Sequence, residues 1–197
     1  MSRLCVMHRH SSVSEIYDAF FSTGWLHSRR AAVRGPGARN VGPARPVDRR
    51  HDTLMAMASL AATVCAQGDL AGARKLEEQV LEARRRLLGD EHPDTVRARN
   101  NPAQTMYRQG DLAGARELQE HVLEARRRLQ GDEHPYTSIA AWNLFLTLRD
   151  CGDASASEKV LVENLLWLFR RDASTLSGDQ RGISQMLSQM LGGKAEA

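Results

Sequence analysis

The stretch QGDLAGARKLEEQVLEARRRLLGDEHP, residues 67–93, returns as QGDLAGARELQEHVLEARRRLQGDEHP at residues 109–135. The two copies start 42 residues apart and differ only at the paired positions Lys75/Glu117, Glu77/Gln119, Gln79/His121 and Leu88/Gln130. Three of these exchanges replace one polar residue with another, which predicts that the positions face solvent. A fixed period of roughly 20–50 residues is typical of proteins built from stacked units. The sequence therefore predicts a repeat architecture.

Glycine, aspartate and proline mark the ends of helices within each copy. Gly68 is expected to supply the left-handed residue that ends the first helix of the unit, and Asp69 to cap the second. Gly89 closes the second helix, and Pro93 prevents that helix from continuing. Asp94 is expected to cap the helix that follows. Each unit is thus predicted to be an antiparallel helical hairpin, with Gly72 and Ala73 small enough for its two helices to approach closely.

Apolar residues recur at helical spacing within the units. In the first unit they are Leu54, Met57, Ala58, Ala61, Val64 and Cys65 in the first helix, and Leu70, Ala73, Leu76, Val80, Ala83 and Leu87 in the second. The repeats are predicted to span residues 52–93, 94–135 and 136–176. Residues 177–197 are expected to form a tail with a covering helix, because the end of a repeat stack needs a polar outer face.

Pro102 interrupts the pattern in the second unit, where the other units have Leu60 and Leu144. An interior proline removes a backbone hydrogen bond and clashes with the preceding turn, at a cost of about 3 kcal/mol. We therefore expect this helix to start late, near Pro102 itself, or to be kinked. In the third unit the second helix is predicted to run over residues 155–171.

Residues 1–51 differ from the rest of the chain in composition. They carry nine arginines and three acidic residues, a net charge of +6, whereas the remainder has a net charge of −3. A helix is predicted at residues 14–33. Residues 34–50 are rich in Arg, Gly, Pro and Ala, so they are predicted to be disordered. The same bias would also arise from translation upstream of a later start, at Met55 or Met57.

Several classes of protein are disfavoured by the sequence. Cys5, Cys65 and Cys151 fit neither a disulfide nor a zinc pattern, which favours a reducing, cytoplasmic setting. No apolar run reaches the roughly 18 residues that a membrane span needs, and no secretory signal is visible. We find no nucleophile–base pair, phosphate-binding loop or metal-ligand spacing, so neither enzymatic activity nor a cofactor or metal is expected.

The same residues resemble a known family. The Gln-Gly-Asp turn, the Ala-Arg and Val-Leu-Glu segments and the sequence LGDEHPDT at residues 88–95 are similar to the 42-residue tetratricopeptide repeat of kinesin light chains. The resemblance covers residues 52–171. It implies an all-α, right-handed superhelical stack of about three antiparallel helix hairpins. It also implies a concave face that is lined by the first helices and binds extended peptides.

Three motifs could carry chemistry or serve the fold. Asp90-Glu91-His92 recurs one period later, which favours an inter-repeat loop over an acid–base or metal site. Arg84-Arg85-Arg86 and Arg126-Arg127-Arg128 lie in the last turns of helices and are expected to form a solvated face that complements the helix dipole, with Glu82 paired to Arg86 and Glu124 to Arg128. Trp142 is expected to pack in the core rather than line the groove.

We expect a non-catalytic scaffold that holds a peptide or helix of another protein. The family's contacting asparagine is present as Asn101 and Asn143, whereas the first unit has Ser59. The candidate peptide-binding residues are outward-facing polar groups of the first helices, namely Arg97, Asn101, Gln104, Arg108 and Asn143. Arg97 and Arg108 favour acidic ligands. Two alternatives remain open: nucleic-acid binding through the arginines of residues 29–50, and a fragment of a longer repeat-containing signalling protein.

Overall fold

The computed structural model describes residues 49–192, which contain seven α-helices, one 3-10 helix and no β-strand. The helices are α1 (Arg49–Ala66), α2 (Leu70–Leu88), α3 (Pro93–Arg108), α4 (Leu112–Gln130), α5 (Pro135–Asp150), α6 (Ala154–Asn164), the 3-10 helix Leu166–Arg170 and α7 (Gly178–Gly192). The prediction of an all-α protein is confirmed. The predicted helix at residues 14–33 and the predicted disordered segment lie outside the described residues.

The helices pair into three successive hairpins, α1–α2, α3–α4 and α5–α6, which stack in chain order. From α2 to α6, each helix packs against the next one along the chain, both within and between hairpins. Helix α7 packs on α5 and on the 3-10 helix. The predicted stack with a terminal covering helix is therefore confirmed. No helix among residues 49–192 is long and apolar enough to cross a membrane.

The turn inside each hairpin is built as the sequence predicts. Gly68 adopts φ +90°, and Gly110 and Gly152 adopt similar positive angles, a conformation that favours glycine. In the first hairpin, the Asp69 carboxylate accepts a hydrogen bond of 2.8 Å from the Gly72 amide. A Cβ atom at residue 72 would lie 2.3 Å from Asp69 Oδ2. Gly72 therefore leaves room for the cap, a role that the sequence analysis missed.

The loop between hairpins uses histidine as the cap. His92 Nδ1 accepts a hydrogen bond of 3.1 Å from the Asp94 amide, and His134 Nδ1 accepts one of 3.2 Å from the Tyr136 amide. Each histidine is followed by the proline that opens the next helix, where the missing amide costs nothing. The prediction that Asp94 is the cap is wrong, because the helix begins one residue before it.

Helix α3 runs without interruption through Pro102, which is buried in its interior. The expectation that this helix starts near Pro102 is therefore wrong, since its start is secured at Pro93 by the His92 cap. In the third unit, α6 ends at Asn164 rather than at residue 171. There the Asn164 carbonyl accepts a hydrogen bond from the Trp167 indole, and the chain continues as a 3-10 helix.

The core lies between the hairpins as well as inside them. Leu54 of α1, Val80 of α2 and Ala98 of α3 form one buried cluster that joins the first two units. Helix α5 is the most buried of the described helices, and every residue from Ala140 to Leu148 is buried. Trp142 is 1% exposed and its ring lies 5.6 Å from that of Phe145. Trp142 is therefore a core residue, as predicted.

Two of the polar positions that differ between the sequence copies point inward. Lys75 and His121 are exposed, as the sequence predicts. Glu77 and Gln119, in contrast, are 7% and 1% exposed, so the prediction that they face solvent is wrong. The reason lies outside their own helix: α3 packs over Glu77, where Thr105 hydrogen-bonds to its carboxyl group.

The ends of α2 and α4 also differ from the prediction. Arg84 and Arg126 are buried, whereas Leu87 of the predicted inner face is exposed. The Arg84 guanidinium donates a hydrogen bond of 2.9 Å to the Asp94 carbonyl at the start of α3. The Arg126 guanidinium lies over the Tyr136 ring, 5.1 Å from its centroid. These arginines reach across to the next hairpin instead of facing solvent.

Candidate peptide-binding site

Four of the five predicted binding residues lie on one face of α3. Arg97, Asn101, Gln104 and Arg108 follow the spacing i, i+4, i+7 and i+11, which places them in one row along a helix. The two arginines are exposed, and the two amides are half-buried. We call this row the α3 strip.

Asn143 is not available on the same surface. It is fully buried in α5, and its side-chain amide donates a hydrogen bond of 3.4 Å to Asn100 Oδ1 of α3. Its own Oδ1 has no hydrogen-bond partner. The expectation that Asn143 faces outward is therefore wrong, because α5 is covered along most of its length.

Helix α1 contributes the counterpart of the α3 strip one period earlier in the sequence. The equivalent residues are Met55, Ser59, Ala62 and Ala66, and all four are exposed. The Ser59 hydroxyl donates a hydrogen bond of 3.0 Å to the Met55 carbonyl of its own helix. The α1 side of the site is therefore uncharged and lacks the two amides that the α3 strip presents.

The two arginines of the α3 strip have different partners. Arg97 forms an ion pair of 2.9 Å with Asp94 of the same helix. Arg108 donates to the Cys65 thiol of α1 across 2.7 Å. The charge of Arg108 also acts on Glu77 of α2, where it lowers the pKa of a carboxyl group that burial raises more strongly. Neither Cys65 nor Glu77 was predicted from the sequence as a neighbour of Arg108.

Side-chain contacts align the first helices of the three hairpins. Arg108 meets Cys65, Asn143 meets Asn100, and the Tyr107 hydroxyl donates to the Asp150 carboxylate. In each pair the two residues are 43 positions apart, close to one period. The first helices therefore run side by side in the same direction, which brings the exposed faces of α1 and α3 together.

The loops between hairpins, which contain Asp90-Glu91-His92 and its repeat, have a structural role. Asp90 pairs with Arg85 at 2.7 Å and with Arg99 at 2.8 Å, and these partners lower its pKa. Glu91 pairs with Arg128 of α4 at 3.0 Å. Arg128 therefore serves the junction between units rather than the predicted pair with Glu124. Among the described side chains, no cluster of three metal-ligating residues occurs.

Comparisons with known proteins agree with this geometry. Residues 52–125 match the tetratricopeptide-repeat family model. The fold is similar to the crystal structure of a single-substitution variant of a Podosopora anserina kinesin light chain with nearly identical TPR-like repeats. The TM-score is 0.61 at 20% identity, and the match covers 93% of this chain and 81% of that one.

A second similar structure is BtubC (BKLC) from P. vanneervenii, with a TM-score of 0.60 at 14% identity, covering 90% of this chain and 74% of that one. A search of curated proteins finds no match. The sequence repeat, the stacked hairpins and these similarities lead to the same conclusion. Residues 52–125 have the sequence pattern of tetratricopeptide repeats, and the stacked hairpins are similar in fold to kinesin light chain repeats.

Proposed function

We propose that this protein is a non-catalytic scaffold that binds an extended peptide segment of another protein along the exposed faces of α1 and α3. Tetratricopeptide repeats are in general protein-interaction scaffolds. The observation that carries the proposal is the α3 strip, in which two amides and two guanidinium groups line one accessible helix face. From residue 97 to residue 108 this row extends about 16 Å, the length of roughly five extended peptide residues.

The chemistry of the α3 strip suits a peptide backbone. Each amide of Asn101 and Gln104 can donate and accept a hydrogen bond, so each can pair with both polar groups of a peptide unit. Such contacts give affinity with little demand on the ligand's sequence. Sequence preference then comes from the side chains that flank the amides.

We infer that the preferred peptide is acidic. The Arg108 guanidinium donates to a sulfur atom rather than to a carboxylate, so its charge remains available to a ligand carboxylate. The pair of Arg97 with Asp94 is exposed, and such pairs contribute little, so a ligand carboxylate can compete for Arg97. Cys65 and Cys151 are free thiols, which fits the reducing, cytoplasmic setting that we propose for this interaction.

Fluorescence anisotropy with two synthetic probes tests the proposal. One is a fluorescein-labelled peptide of alternating Glu and Leu, and the other has Lys in place of Glu. We expect the acidic peptide to bind more tightly. The double variant Asn101→Ala/Gln104→Ala should bind it about thirtyfold more weakly, because the loss of one hydrogen bond of about 1 kcal/mol at each residue removes about 2 kcal/mol of binding free energy. The control Gln79→Ala/His121→Ala alters exposed residues of the second helices and should retain the affinity.

Three results would count against this site. The first is unchanged affinity in the Asn101→Ala/Gln104→Ala variant while its helical circular dichroism matches the wild type. The second is equal binding of the acidic and basic peptides. The third is salt-sensitive binding of a labelled oligonucleotide in place of either peptide, which would assign the function to the arginines of residues 29–50.

A further inference from the structure

Two arginines are buried at the places where a second helix meets the next hairpin. Arg84 of α2 is 4% exposed and Arg126 of α4 is 7% exposed. They occupy the same position of the repeat, one period apart. Arginine is rarely buried to this extent unless a carboxylate pairs with its charge. The partners that the described part of the chain gives to these two guanidinium groups are instead neutral.

Arg84 extends from α2 toward the peptide-binding surface. Its guanidinium donates to the Asp94 carbonyl at 2.9 Å and to the Met55 sulfur at 3.4 Å. Met55 belongs to the exposed row of α1, so the charge of Arg84 reaches the edge of that row. Burial is the main reason why the pKa of Arg84 is lowered, because desolvation disfavours a charge that no carboxylate contacts.

Arg126 repeats this arrangement one unit later. Its guanidinium donates to Gln130 Oε1 at 3.3 Å and lies over the Tyr136 ring. The repeat places it near Arg97 of the α3 strip, which corresponds to Met55 of α1. Burial is the main cause that lowers the pKa of Arg126, and the like charge of Arg97 adds to it.

Arg97 completes a cluster of charges at the start of α3. It pairs with Asp94 at 2.9 Å, the residue whose carbonyl accepts from Arg84. Beyond the effect of burial, the charge of Arg97 lowers the pKa of both Arg84 and Arg126, and the charge of Asp94 opposes it. We call these four residues the arginine cluster. Its three positive charges and one negative charge leave an excess of two positive charges.

This excess charge matches a phosphate monoester. At neutral pH a phosphorylated side chain carries about −1.5 to −2 charges and offers three acceptor oxygens, whereas Glu or Asp carries a single negative charge. Guanidinium groups bind phosphate through paired hydrogen bonds, which makes arginine the preferred residue at phosphate sites. The dipole at the start of α3 also favours an anion there. The chemistry of the arginine cluster thus favours a phosphate over a carboxylate.

The surroundings of the arginine cluster favour a peptide over a nucleic acid. A nucleic-acid strand carries a phosphate at every nucleotide, and proteins usually hold it in a basic groove with aromatic side chains that stack on its bases. The exposed row of α1 is uncharged, and the α3 strip has two amides between its arginines. Neither row contains an aromatic residue. A peptide with one phosphate group fits this surface better.

We propose that the peptide bound along the α3 strip is phosphorylated on one side chain, and that its phosphate binds at the arginine cluster. This inference rests on the proposed peptide-binding function. Arg97 contacts the phosphate directly and gives up its exposed pair with Asp94. Arg84 and Arg126 stay buried and stabilise the second negative charge through the protein interior, where charges are screened less than in water.

Fluorescence anisotropy with the full chain tests this assignment. Three labelled peptides of alternating Glu and Leu differ only at one terminal acidic position, which holds phosphoserine, Glu or Ser, and each is made with that position at either end. We expect the better of the two phosphoserine peptides to bind about tenfold more tightly than its Glu counterpart, because one further negative charge meets an uncompensated positive charge. The Ser peptide should bind most weakly.

Two variants of neighbouring arginines locate the phosphate. Arg126→Met removes a charge of the arginine cluster but keeps an apolar side chain along the path of the arginine stem. This variant should lose most of the preference for phosphoserine over Glu. Arg127→Met is the matched control, since Arg127 is exposed and pairs with Asp132 outside the cluster. It should retain the full preference.

Other outcomes overturn the proposal. Equal affinity of the wild type for the phosphoserine and Glu peptides would exclude a phosphate site while leaving the acidic-peptide scaffold in place. If none of the peptides binds, the proposed function fails and the phosphate assignment fails with it. A preference that survives in folded Arg126→Met, or that is lost equally in Arg127→Met, would place the phosphate elsewhere.

Two further measurements complete the test. If circular dichroism shows that Arg126→Met has unfolded, Arg97→Gln at an exposed position takes its place, and a preference that survives this change contradicts the proposal. Displacement of the phosphoserine peptide by an equal concentration of oligothymidine would assign the arginine cluster to nucleic acid instead. Failure of oligothymidine to displace it supports the phosphopeptide.

Discussion

The side chain of Glu77 places a carboxyl group in an unfavourable position. It is largely buried between α2 and α3, and its Oε2 atom has no hydrogen-bond partner. Burial raises its pKa, and a hydrogen bond with Thr105 and the charge of Arg108 only partly oppose this. A buried charge that is incompletely paired destabilises the folded state. The second unit has Gln119 at this position, which is neutral at every pH.

Glu77→Gln is expected to raise the free energy of unfolding at neutral pH. Because the carboxyl group has a higher pKa in the folded protein, the folded state binds more protons than the unfolded state above the ordinary value of 4.5. Stability therefore falls as the pH rises through the folded-state pKa. The advantage of the variant should be largest at pH 7 and should shrink below about pH 4.

Urea unfolding at both pH values measures this difference. Glu117→Gln removes an exposed carboxyl group from α4 and serves as the control. If Glu77→Gln and the wild type unfold at the same urea concentration at pH 7, the carboxyl group is adequately solvated and its burial has no cost.

Single residues also show which features the sequence could predict. Gly68 and Asp69 act on backbone groups within a few positions of themselves, so their roles were visible in the sequence. Glu77 and Arg84 are buried by a helix that begins after the next loop. Their polar character predicted exposure, and only the packing of α3 reverses it. Local signals therefore gave the turns inside the hairpins, whereas burial by a neighbouring unit required the structure.

At the scale of the helix, α3 tolerates a proline because its two ends are well fixed. His92 caps its start, and its end continues into the Gly110 turn. Pro102 has no amide to offer to the carbonyl of Ala98, four residues before it. The strain that the sequence predicts at this point stays a prediction, and the sequence could not show that α3 continues through the proline.

Pro102→Leu is expected to stabilise the protein by about 1–3 kcal/mol, because it restores a helical hydrogen bond and removes a steric clash. Leucine keeps the apolar volume of the site and is buried at the same position of α5, as Leu144. Thermal unfolding followed by circular dichroism measures the effect. An unchanged or lower melting temperature would mean that the neighbouring side chains have adapted to the proline ring.

At the scale of the whole described stack, α7 occupies the place of one more first helix. Gln180 donates to Ser138 Oγ, 42 residues away, and Arg149 contacts the Met190 sulfur, 41 residues away. Both separations are close to one period. The need of a repeat stack for a polar outer face predicted a covering helix at residues 177–197. It gave no information about the fully buried Asn143, because that burial depends on how the helices assemble around α5.

Ile183→Ala should destabilise the protein by about 2–5 kcal/mol, because it opens a cavity beneath α7 where the side chain is fully buried. Gln185→Ala changes an exposed residue of the same helix and should alter stability by less than about 0.5 kcal/mol. Urea unfolding compares the two variants. Equal stability of Ile183→Ala and the wild type would show that α7 is not an integral part of the stack.

The ion pairs between neighbouring second helices bear on how the gene can gain or lose whole repeat units. Arg74 pairs with Asp111, and Arg116 pairs with Asp153, in both cases 37 residues further along. Both partners belong to the repeated unit, so a tandem duplication of 42 codons creates a new Arg–Asp pair at the new junction. Loss of a whole unit likewise leaves an Arg and an Asp that can pair at the new junction. An insertion that is not a whole unit of 42 residues moves these two partners out of register. The near identity of residues 67–93 and 109–135 is the trace that such copying leaves, and a change in length by whole units keeps this Arg–Asp pair at the junctions between second helices.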